Sequence, residues 1–250
     1  DQGERLDALE SDLHAAISGT ARPRDSQSSH AHDRADLAAA LADAVHRFDI
    51  PTATFDAFGR SMRMDLPGHP LFQNRYRTFS ELAEYTYGSA AVIGLQLLPV
   101  LGADVRNSDV TAGARLLGEA FQLTNFLRDV GEDADRDRVY LPLTELAAFG
   151  VDEELLFHDV AERTASVPLR RAVAHVIAVN RDQYRRTDAA IAALPARTRP
   201  AICAAARSYS AILTEIEDTD HDVLARRAVV PVARRIGQAL ASVSGRPGRY

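Results

Sequence analysis

Four polar residues stand inside or at the end of a helical stretch that begins as an apolar one, and their side chains are of the types that bind a hard cation. The stretch is FQLTNFLRDVGEDADRDRVYLP, and the four residues are Gln122, Asn125, Asp129 and Asp133. At about 100° per residue they share one helical face about 80° wide with Gly118. Because burying an unpaired carboxylate is costly, acids in this position indicate a ligand.

Two of these acids, Asp129 and Asp133, are four residues apart, so their carboxylates should project side by side. With the amide oxygen of Asn125 they form an all-oxygen ligand set, which suits Mg²⁺. Zinc fits poorly, because no histidine or cysteine lies at ligand spacing. The alternative is a solvated, charged helix end. The neighbouring acids that we interpret in that way are Glu132, Asp135 and Asp137.

The elements that must position these residues are helices, because helix signals run along the chain and strand signals are almost absent. We expect an all-α fold, with one domain over residues 1–250 built as a helical bundle around one core. Long helices are predicted over about 37–48, 78–98, 112–130, 169–194 and 199–219, and a last one over 226–242, interrupted by Pro231. The polar segment 22–33 is predicted to be a loop.

Composition narrows the classes of partner. The net charge of −6 argues against a nucleic-acid-binding protein. All 29 basic residues are arginine, so a phosphate site here must use arginine, metal ions or backbone amides. The single cysteine, Cys203, fits a reducing cytoplasm.

The C-terminal segment ARRAVVPVARRIGQALASV is basic and partly amphipathic. Such a segment suits binding to a membrane surface. A packed terminal helix with exposed arginines explains the same pattern equally well. The longest apolar stretch, Ala90–Ala103, is too short to span a bilayer.

Four sequence segments together resemble the squalene/phytoene synthase family, whose members join two prenyl diphosphates head to head. The segment QLTNFLRDVGED…RVYLP is similar to the second aspartate-rich motif of that family. The other segments, in the expected order, are MRMDL, YTYGSAAVIGLQLLPVLG and ARSYSAILTEIE…DVLARRAVVP. The resemblance extends over most of the chain and implies an isoprenoid synthase-type helical bundle around a central cavity.

The resemblance implies roles for nine residues. Asp129 and Asp133 would bind Mg²⁺, for which Mn²⁺ could substitute, and would act in catalysis together with Tyr87 and Arg128. The residues that would bind the prenyl diphosphate are Gln122, Asn125, Tyr140, Tyr209 and Arg226. The small residues Ala90, Ala91 and Gly94 would let isoprenoid tails run between helices, and close helix packing is an equally good explanation for each of them.

The implied reaction converts two geranylgeranyl diphosphates to phytoene through a cyclopropyl diphosphate, without NADPH. The resemblance also implies work beside a membrane, at its inner, cytoplasmic face. One alternative is a C30 synthase that acts on farnesyl diphosphate. Another is a non-catalytic relative that serves as a binding or assembly factor.

One expected feature of the family is not visible in the sequence. The first aspartate-rich motif should precede the helix that begins near RLDALESDL, but the chain starts at Asp1. We interpret Asp7, Glu10 and Asp12 as the exposed face of that helix. We expect the motif to lie upstream in the intact protein.

Overall fold

Helices dominate the part of the chain that the computed structural model describes, residues 2–20 and 29–243. No strand occurs in those residues; a lone bridge joins Arg75 and Val139. The helices are α1 (Gln2–Ile17), α2 (Ser29–Phe48), α3 (Ala53–Met64), α4 (Phe79–Thr86), α5 (Val92–Val100), α6 (Ser108–Arg128), α7 (Val130–Ala134), α8 (Leu143–Ala147), α9 (Glu153–Glu162), α10 (Val167–Ala192), α11 (Arg199–Glu217) and α12 (Val232–Val243). The predicted all-α class is confirmed.

The two longest helices, α6 and α10, pack along each other, and α11 packs against both. Leu123 and Leu127 of α6, like Val173 and Ile177 of α10, are at most 3% exposed. Removing these apolar side chains from water is the main force that holds the helices together. The α6–α10 pair is therefore a rigid support for the polar face of α6.

The segment between α1 and α2 differs from the prediction. Part of the predicted loop, Ser29–Asp33, is helical, because α2 begins at Ser29; residues 21–28 lie outside the described part. Polar residues such as serine and aspartate are well tolerated in the first turns of a helix. The rest of α2 packs against α1, and this packing stabilises the helix. The helix can therefore include first turns that show no apolar pattern in the sequence.

The helix predicted over 78–98 is divided by a π-helical segment, Tyr87–Ala91, which joins α4 to α5. Its start is as expected: the Glu81 N–H donates to Thr78 Oγ1 (3.2 Å). The carboxylate of Glu81 accepts in turn from the Arg77 N–H (2.7 Å). Single π turns widen a helix locally and often occur at functional sites.

The last helix also starts later than predicted. Pro231 does not interrupt it but precedes it, and its carbonyl accepts the first bond, from the Arg235 N–H (3.1 Å). Proline is favoured at a helix start, where its missing N–H needs no partner. Among the described residues, no helix combines the length and apolar character that crossing a bilayer requires.

Candidate active site

The acids of the site lie where α6 ends and α7 begins. The backbone bends at Asp129 (φ −108°, ψ 16°), a break that the sequence does not predict. Helical bonding nevertheless continues through it: the Asp129 N–H donates to Asn125 O and the Asp133 N–H donates to Asp129 O, both at 2.9 Å. The two carboxylates therefore keep their one-turn spacing.

Asp129 is held by two arginines. Arg128 donates from Nε to Oδ1 (2.8 Å) and from Nη2 to Oδ2 (2.6 Å). Arg227 donates from Nε to Oδ1 (2.8 Å). Burial alone would raise the pKa of Asp129, but the bonds from Arg128 and Arg227 hold this pKa below its ordinary value. Asp129 is thus a charged carboxylate with two fixed cations beside it.

Asp133, one turn further on, has no such partner among the described residues. Burial, followed by the charge of Asp129, raises the pKa of Asp133 to about 7, against the weaker opposing influence of Arg136 and Arg138. A carboxylate in this state gains stability from any cation that reaches it. The two acids that look alike in the sequence therefore differ in charge environment.

The amides of the same face are also incompletely bonded. Asn125 Nδ2 donates a long bond to Gln122 Oε1 (3.5 Å). Asn125 Oδ1 is buried and has no donor among the described residues. Because most buried polar atoms are hydrogen-bonded, such an orphaned oxygen calls for a ligand.

The donor groups along this face are of the type that suits a hard divalent cation. The Asp133 carboxylate and, two helical turns away, Asn125 Oδ1 are oxygen groups without a hydrogen-bond donor among the described residues, and oxygen is the ligand atom that Mg²⁺ prefers. Asp129 adds a third oxygen group, although its two arginines already balance its charge. Asp129 and Asp133 thus offer oxygen ligands of the type that the predicted Mg²⁺ site requires, and their role as metal ligands stays a prediction.

A second group with metal-ligating atoms lies between α1 and α3. One ligand atom each from Glu10, His14 and Asp56 lies within 4.8 Å of the others. All three already have protein partners, since His14 pairs with Asp56 (2.8 Å) and Glu10 pairs with Arg63. Glu10 is only partly exposed, so its prediction as part of an exposed face is wrong, because Arg63 draws it against α3.

An apolar cleft of about 260 Å³ begins at these amides and follows α6 toward its N-terminus. Its walls come from the π segment and helices α5, α6, α10 and α11. The residues that α6 contributes are Val110, Gly113, Ala114, Leu117, Gly118, Phe121, Gln122 and Asn125. At about 1.5 Å per residue, the cleft extends about 22 Å from Asn125 to Val110. A buried cluster of Leu98, Val110 and Leu194 closes the far end.

The small residues of this cleft divide between two roles. A Cβ on Gly94 would lie 2.3 Å from the Ala114 carbonyl oxygen, and a Cβ on Gly118 would lie 2.5 Å from that of Ala90. Close packing of α5 and the π segment on α6 therefore requires glycine at both positions. Ala90 and Gly94 also line the cleft, whereas Ala91 is fully buried outside it.

The remaining predicted site residues are spread around the cleft. Tyr209 lines it, with its ring 4.4 Å from that of Phe121. Tyr87 lies outside the cleft lining and is 36% exposed, and the guanidinium of Arg115 lies 5.1 Å from its ring centre. Arg226 is exposed and lines a separate polar cavity.

That polar cavity also brings Arg226 together with Arg128 and Arg227, the two arginines that bind Asp129. The sequence predicts a role for Arg226 but not for Arg227. Which of two adjacent arginines points toward Asp129 depends on the backbone, which the sequence alone does not show. Glu215 and Asp222 also line this cavity, where they pair with Arg234 and Arg170. The three guanidinium groups beside them are of the type that binds a diphosphate in bidentate fashion.

Tyr140 belongs to an aromatic cluster built around a carboxylate that sequence analysis did not assign. The Tyr85 and Tyr140 hydroxyls donate to Asp65 Oδ2 (2.8 Å) and Oδ1 (2.9 Å). Burial, followed by the Asp65 charge, raises the pKa of Tyr140 to about 12. Tyr140 also stacks on Phe126 at 4.2 Å. The signal that was available is Asp65 itself, a lone acid between Met64 and Leu66.

A helical fold with an apolar cleft that ends at two amides, one helical turn before a carboxylate bound by arginines, defines a class, the all-α isoprenoid synthases. The whole of residues 1–234 matches the profile of the family described as squalene/phytoene synthase. The chain belongs to this family.

Two curated relatives show which enzymes within this family the chain resembles. The chain is 36% identical over 211 residues to the 15-cis-phytoene synthase of Synechococcus elongatus, covering 80% of the chain and 66% of the relative. It is 37% identical over 204 residues to phytoene synthase 3, chloroplastic, of Zea mays, covering 80% of the chain and 46% of the relative. The chain thus spans between about half and two thirds of the length of these relatives.

Solved structures share the fold. A dehydrosqualene synthase in complex with a ligand superposes with a TM-score of 0.79 at 26% identity, covering 96% of this chain and 77% of that one. A squalene synthase from Alicyclobacillus acidocaldarius superposes with a TM-score of 0.73 at 22% identity, covering 88% and 75%.

Proposed function

We propose that the protein catalyses the Mg²⁺-dependent head-to-head condensation of two geranylgeranyl diphosphates to phytoene, a step of carotenoid biosynthesis. The observation that carries the proposal is the cleft, whose walls are apolar and which ends at the amides of Gln122 and Asn125. One helical turn further on lies Asp129 with its two arginines. A prenyl diphosphate has the same division into a charged head and an apolar tail. The names of the relatives support the same reaction.

The length of the cleft supports a C20 tail over a C15 tail. From Asn125 to Val110 the distance along α6 is about 22 Å. This length suits four isoprene units in extended form and exceeds that of three. A larger side chain in place of Val110, at the closed end, should therefore hinder the C20 substrate more than the C15 substrate.

The residues around the acids have distinct proposed tasks. Arg128 and Arg226 would bind the diphosphate and balance the charge that develops on it as it leaves, and Arg227 would share this task. Gln122 and Asn125 would orient the head group at the mouth of the cleft, and Asp129 and Asp133 would hold Mg²⁺. Bound there, Mg²⁺ supplies Lewis-acid stabilisation of the leaving group, worth several kcal/mol.

The proposed reaction breaks the carbon–oxygen bond of one substrate, so that diphosphate departs with the electron pair. The 2,3-double bond of the second substrate attacks the allylic cation, and loss of a proton closes a cyclopropane ring. Departure of the second diphosphate, rearrangement and loss of a second proton give phytoene, so no reductant such as NADPH is needed. The apolar walls of the cleft, with the aromatic face of Phe121 among them, would protect the cations from water.

The test uses the full-length protein with Mg²⁺ and either C20 or C15 diphosphate, followed by identification of the hydrocarbon. We expect a C40 product from the C20 substrate. Val110→Phe should lower turnover of the C20 substrate more than that of the C15 substrate, and Val110→Leu should do so less strongly. Val105→Phe is the matched control, because Val105 is 49% exposed and lies outside the cleft lining. An unchanged C20-to-C15 ratio in Val110→Phe would contradict the assignment of the closed end.

A C30 synthase is the second candidate, favoured by the structural similarity to a dehydrosqualene synthase. Turnover of farnesyl diphosphate without turnover of the C20 substrate would establish it. A non-catalytic binding or assembly factor predicts no product from either substrate. We propose that the first aspartate-rich motif lies outside these 250 residues, in one domain with them; its absence from the intact coding sequence would favour the non-catalytic alternative.

We also propose that the protein works in the cytoplasm, at the inner face of the membrane. A single cysteine supports a reducing compartment. A long hydrocarbon product, which water does not dissolve, supports a place beside the bilayer. Recovery of the protein from the cytoplasmic side of fractionated cells would test the location.

A further inference from the structure

The terminal helix α12 turns its polar side toward the protein. Arg234 Nη1 donates to Glu215 Oε1 on α11 (2.7 Å). Ser242 is 7% exposed and accepts from Arg207 Nη1 (3.1 Å), also on α11. Gln238, between them on the same face, has a buried Oε1. The contact with α11 is therefore made by the hydrophilic half of the helix.

The apolar side of α12 consequently faces outward. Val232, Ile236 and Leu240 are 61%, 56% and 67% exposed, and their spacing of four residues aligns them on one face. Val229, just before the helix, is 65% exposed and extends the stripe. A helix on a soluble domain normally buries its apolar face and exposes its polar one. This reversed arrangement indicates that an apolar layer outside the described residues covers the stripe.

The charge around the stripe identifies that layer. Residues 223–250 contain six arginines and no acidic residue, in a chain whose net charge is −6. Arg235 is exposed and lies about 60° around the helix axis from Val232, at the edge of the stripe. An apolar stripe with arginines at its rim complements an anionic lipid surface, which offers acyl chains below a layer of phosphates.

We propose that α12 docks on an anionic bilayer, lying in the plane of the interface with its apolar stripe among the acyl chains. A second copy of the chain suits the surface less well, because two acid-free, arginine-rich segments would repel each other. The docked helix would lie between the bilayer and α11, whose Ile202 and Tyr209 line the apolar cleft. This contact goes beyond the proposed reaction and does not depend on it.

The experiment measures sedimentation of the full-length protein with vesicles of phosphatidylcholine alone or mixed with phosphatidylglycerol, without substrate. We expect binding to the mixed vesicles that weakens as salt is added. The triple variant Val232→Ser, Ile236→Ser, Leu240→Ser should bind about 10-fold less or weaker still. The matched control replaces Leu37 and Val167 by serine, since they are 49% and 70% exposed at other places, and should bind like the wild type.

A second variant tests the charge separately. Arg235→Glu should lower binding to the mixed vesicles and leave the melting temperature unchanged, because Arg235 is exposed. Failure of the wild type to bind the mixed vesicles, or full binding by the triple variant, would overturn the proposal. A wild-type dimer that the triple variant converts to a monomer, without vesicle binding by either, would overturn it in favour of self-association. Each readout is independent of turnover, so the proposed reaction can fail while this inference holds.

Discussion

Two polar faces of the same helix, α6, differ in how completely their hydrogen bonds are made. On the face toward α10, Thr124 Oγ1 lies 2.8 Å from Ala120 O, 2.7 Å from Asn180 Oδ1 and 2.7 Å from the Tyr184 hydroxyl. Asn180 Nδ2 also donates to Ala120 O (3.0 Å) and Gln183 Oε1 (2.9 Å). This cluster satisfies its own buried groups and joins two helices.

The second face of α6, which carries Asn125 about 100° around the helix axis from Thr124, leaves hydrogen-bonding groups without partners. Asn125 Oδ1 is buried without a donor, and Asp133 has no cation partner among the described residues. Each open group costs free energy in the protein alone, and a ligand that completes it recovers that cost. Polar residues that complete each other serve the fold, and polar residues left incomplete on a rigid helix indicate a binding site.

The largest expected effect is the loss of activity in Asp129→Ala. Removing this carboxylate deletes a metal ligand and leaves Arg128 and Arg227 without their shared partner. We expect turnover of the prenyl diphosphate to fall by about 10²–10³-fold, equivalent to about 3–4 kcal/mol of transition-state stabilisation. The control is Asp135→Ala in the same segment, where the acid pairs with Arg163 instead. Unchanged turnover in Asp129→Ala would refute the proposed metal role.

The completed face should respond in the opposite way, with stability lost and activity kept. Thr124→Val preserves the shape of the side chain but leaves Asn180 Oδ1 buried without its partner. The free energy of unfolding should fall by about 1–3 kcal/mol. Denaturant unfolding measures the loss, and turnover per folded molecule should stay near the wild-type value. A large loss of turnover at unchanged stability would assign Thr124 to the site.

Much of this comparison could be predicted from the sequence. Helical periodicity alone brought Gln122, Asn125, Asp129 and Asp133 to one face, and the structure keeps the bonding that aligns them. The all-α class followed from the same periodicity. These features could be predicted because they depend on residues within one or two turns of each other.

The features that were missed depend on distant parts of the chain. Asp65 meets Tyr140 across 75 residues, and Arg227 meets Asp129 across 98. Periodicity within one helix carries no information about such pairs. The bend at Asp129 was also missed, because ordinary helical bonding continues on both sides of it.

Removing the unpaired charge of Asp133 on the open face should increase the stability of the protein. The pKa of Asp133 is raised to about 7, so the stability that its protonated form contributes is present at low pH and is lost as the pH rises through about 7. Asp133→Asn should therefore raise the free energy of unfolding at pH 8 by about 1–2 kcal/mol without metal, because the partly solvated carboxylate bears only part of the full cost.

Thermal unfolding of both forms from about pH 3.5 to pH 8 measures this gain. The two should agree most closely below the ordinary pKa of 3.8, where Asp133 is protonated in both the folded and the unfolded wild type, and should diverge as the pH rises toward about 7. Asp135→Asn is the control, because that acid already pairs with Arg163 and should show no gain at pH 8. Equal stability of Asp133→Asn and wild type at pH 8 would contradict the open state of this carboxylate.

The smallest expected effect is stabilisation of the fold by Mg²⁺, which should depend on the open face of α6 and not on the face that carries Thr124. Mg²⁺ that binds only the folded protein stabilises it by RT ln(1 + [Mg²⁺]/Kd), or about 0.8 kcal/mol at three times Kd. Wild type and Thr124→Val should gain equally from Mg²⁺, because the completed face offers it no free oxygen. Asp133→Asn should lose the gain, as its amide replaces the charged ligand. Melting temperatures with Mg²⁺, measured against a matched series with Na⁺ at equal ionic strength, test this difference.

An equal gain in all three forms would locate the cation away from α6. The group of Glu10, His14 and Asp56 between α1 and α3 would then be the next position to test.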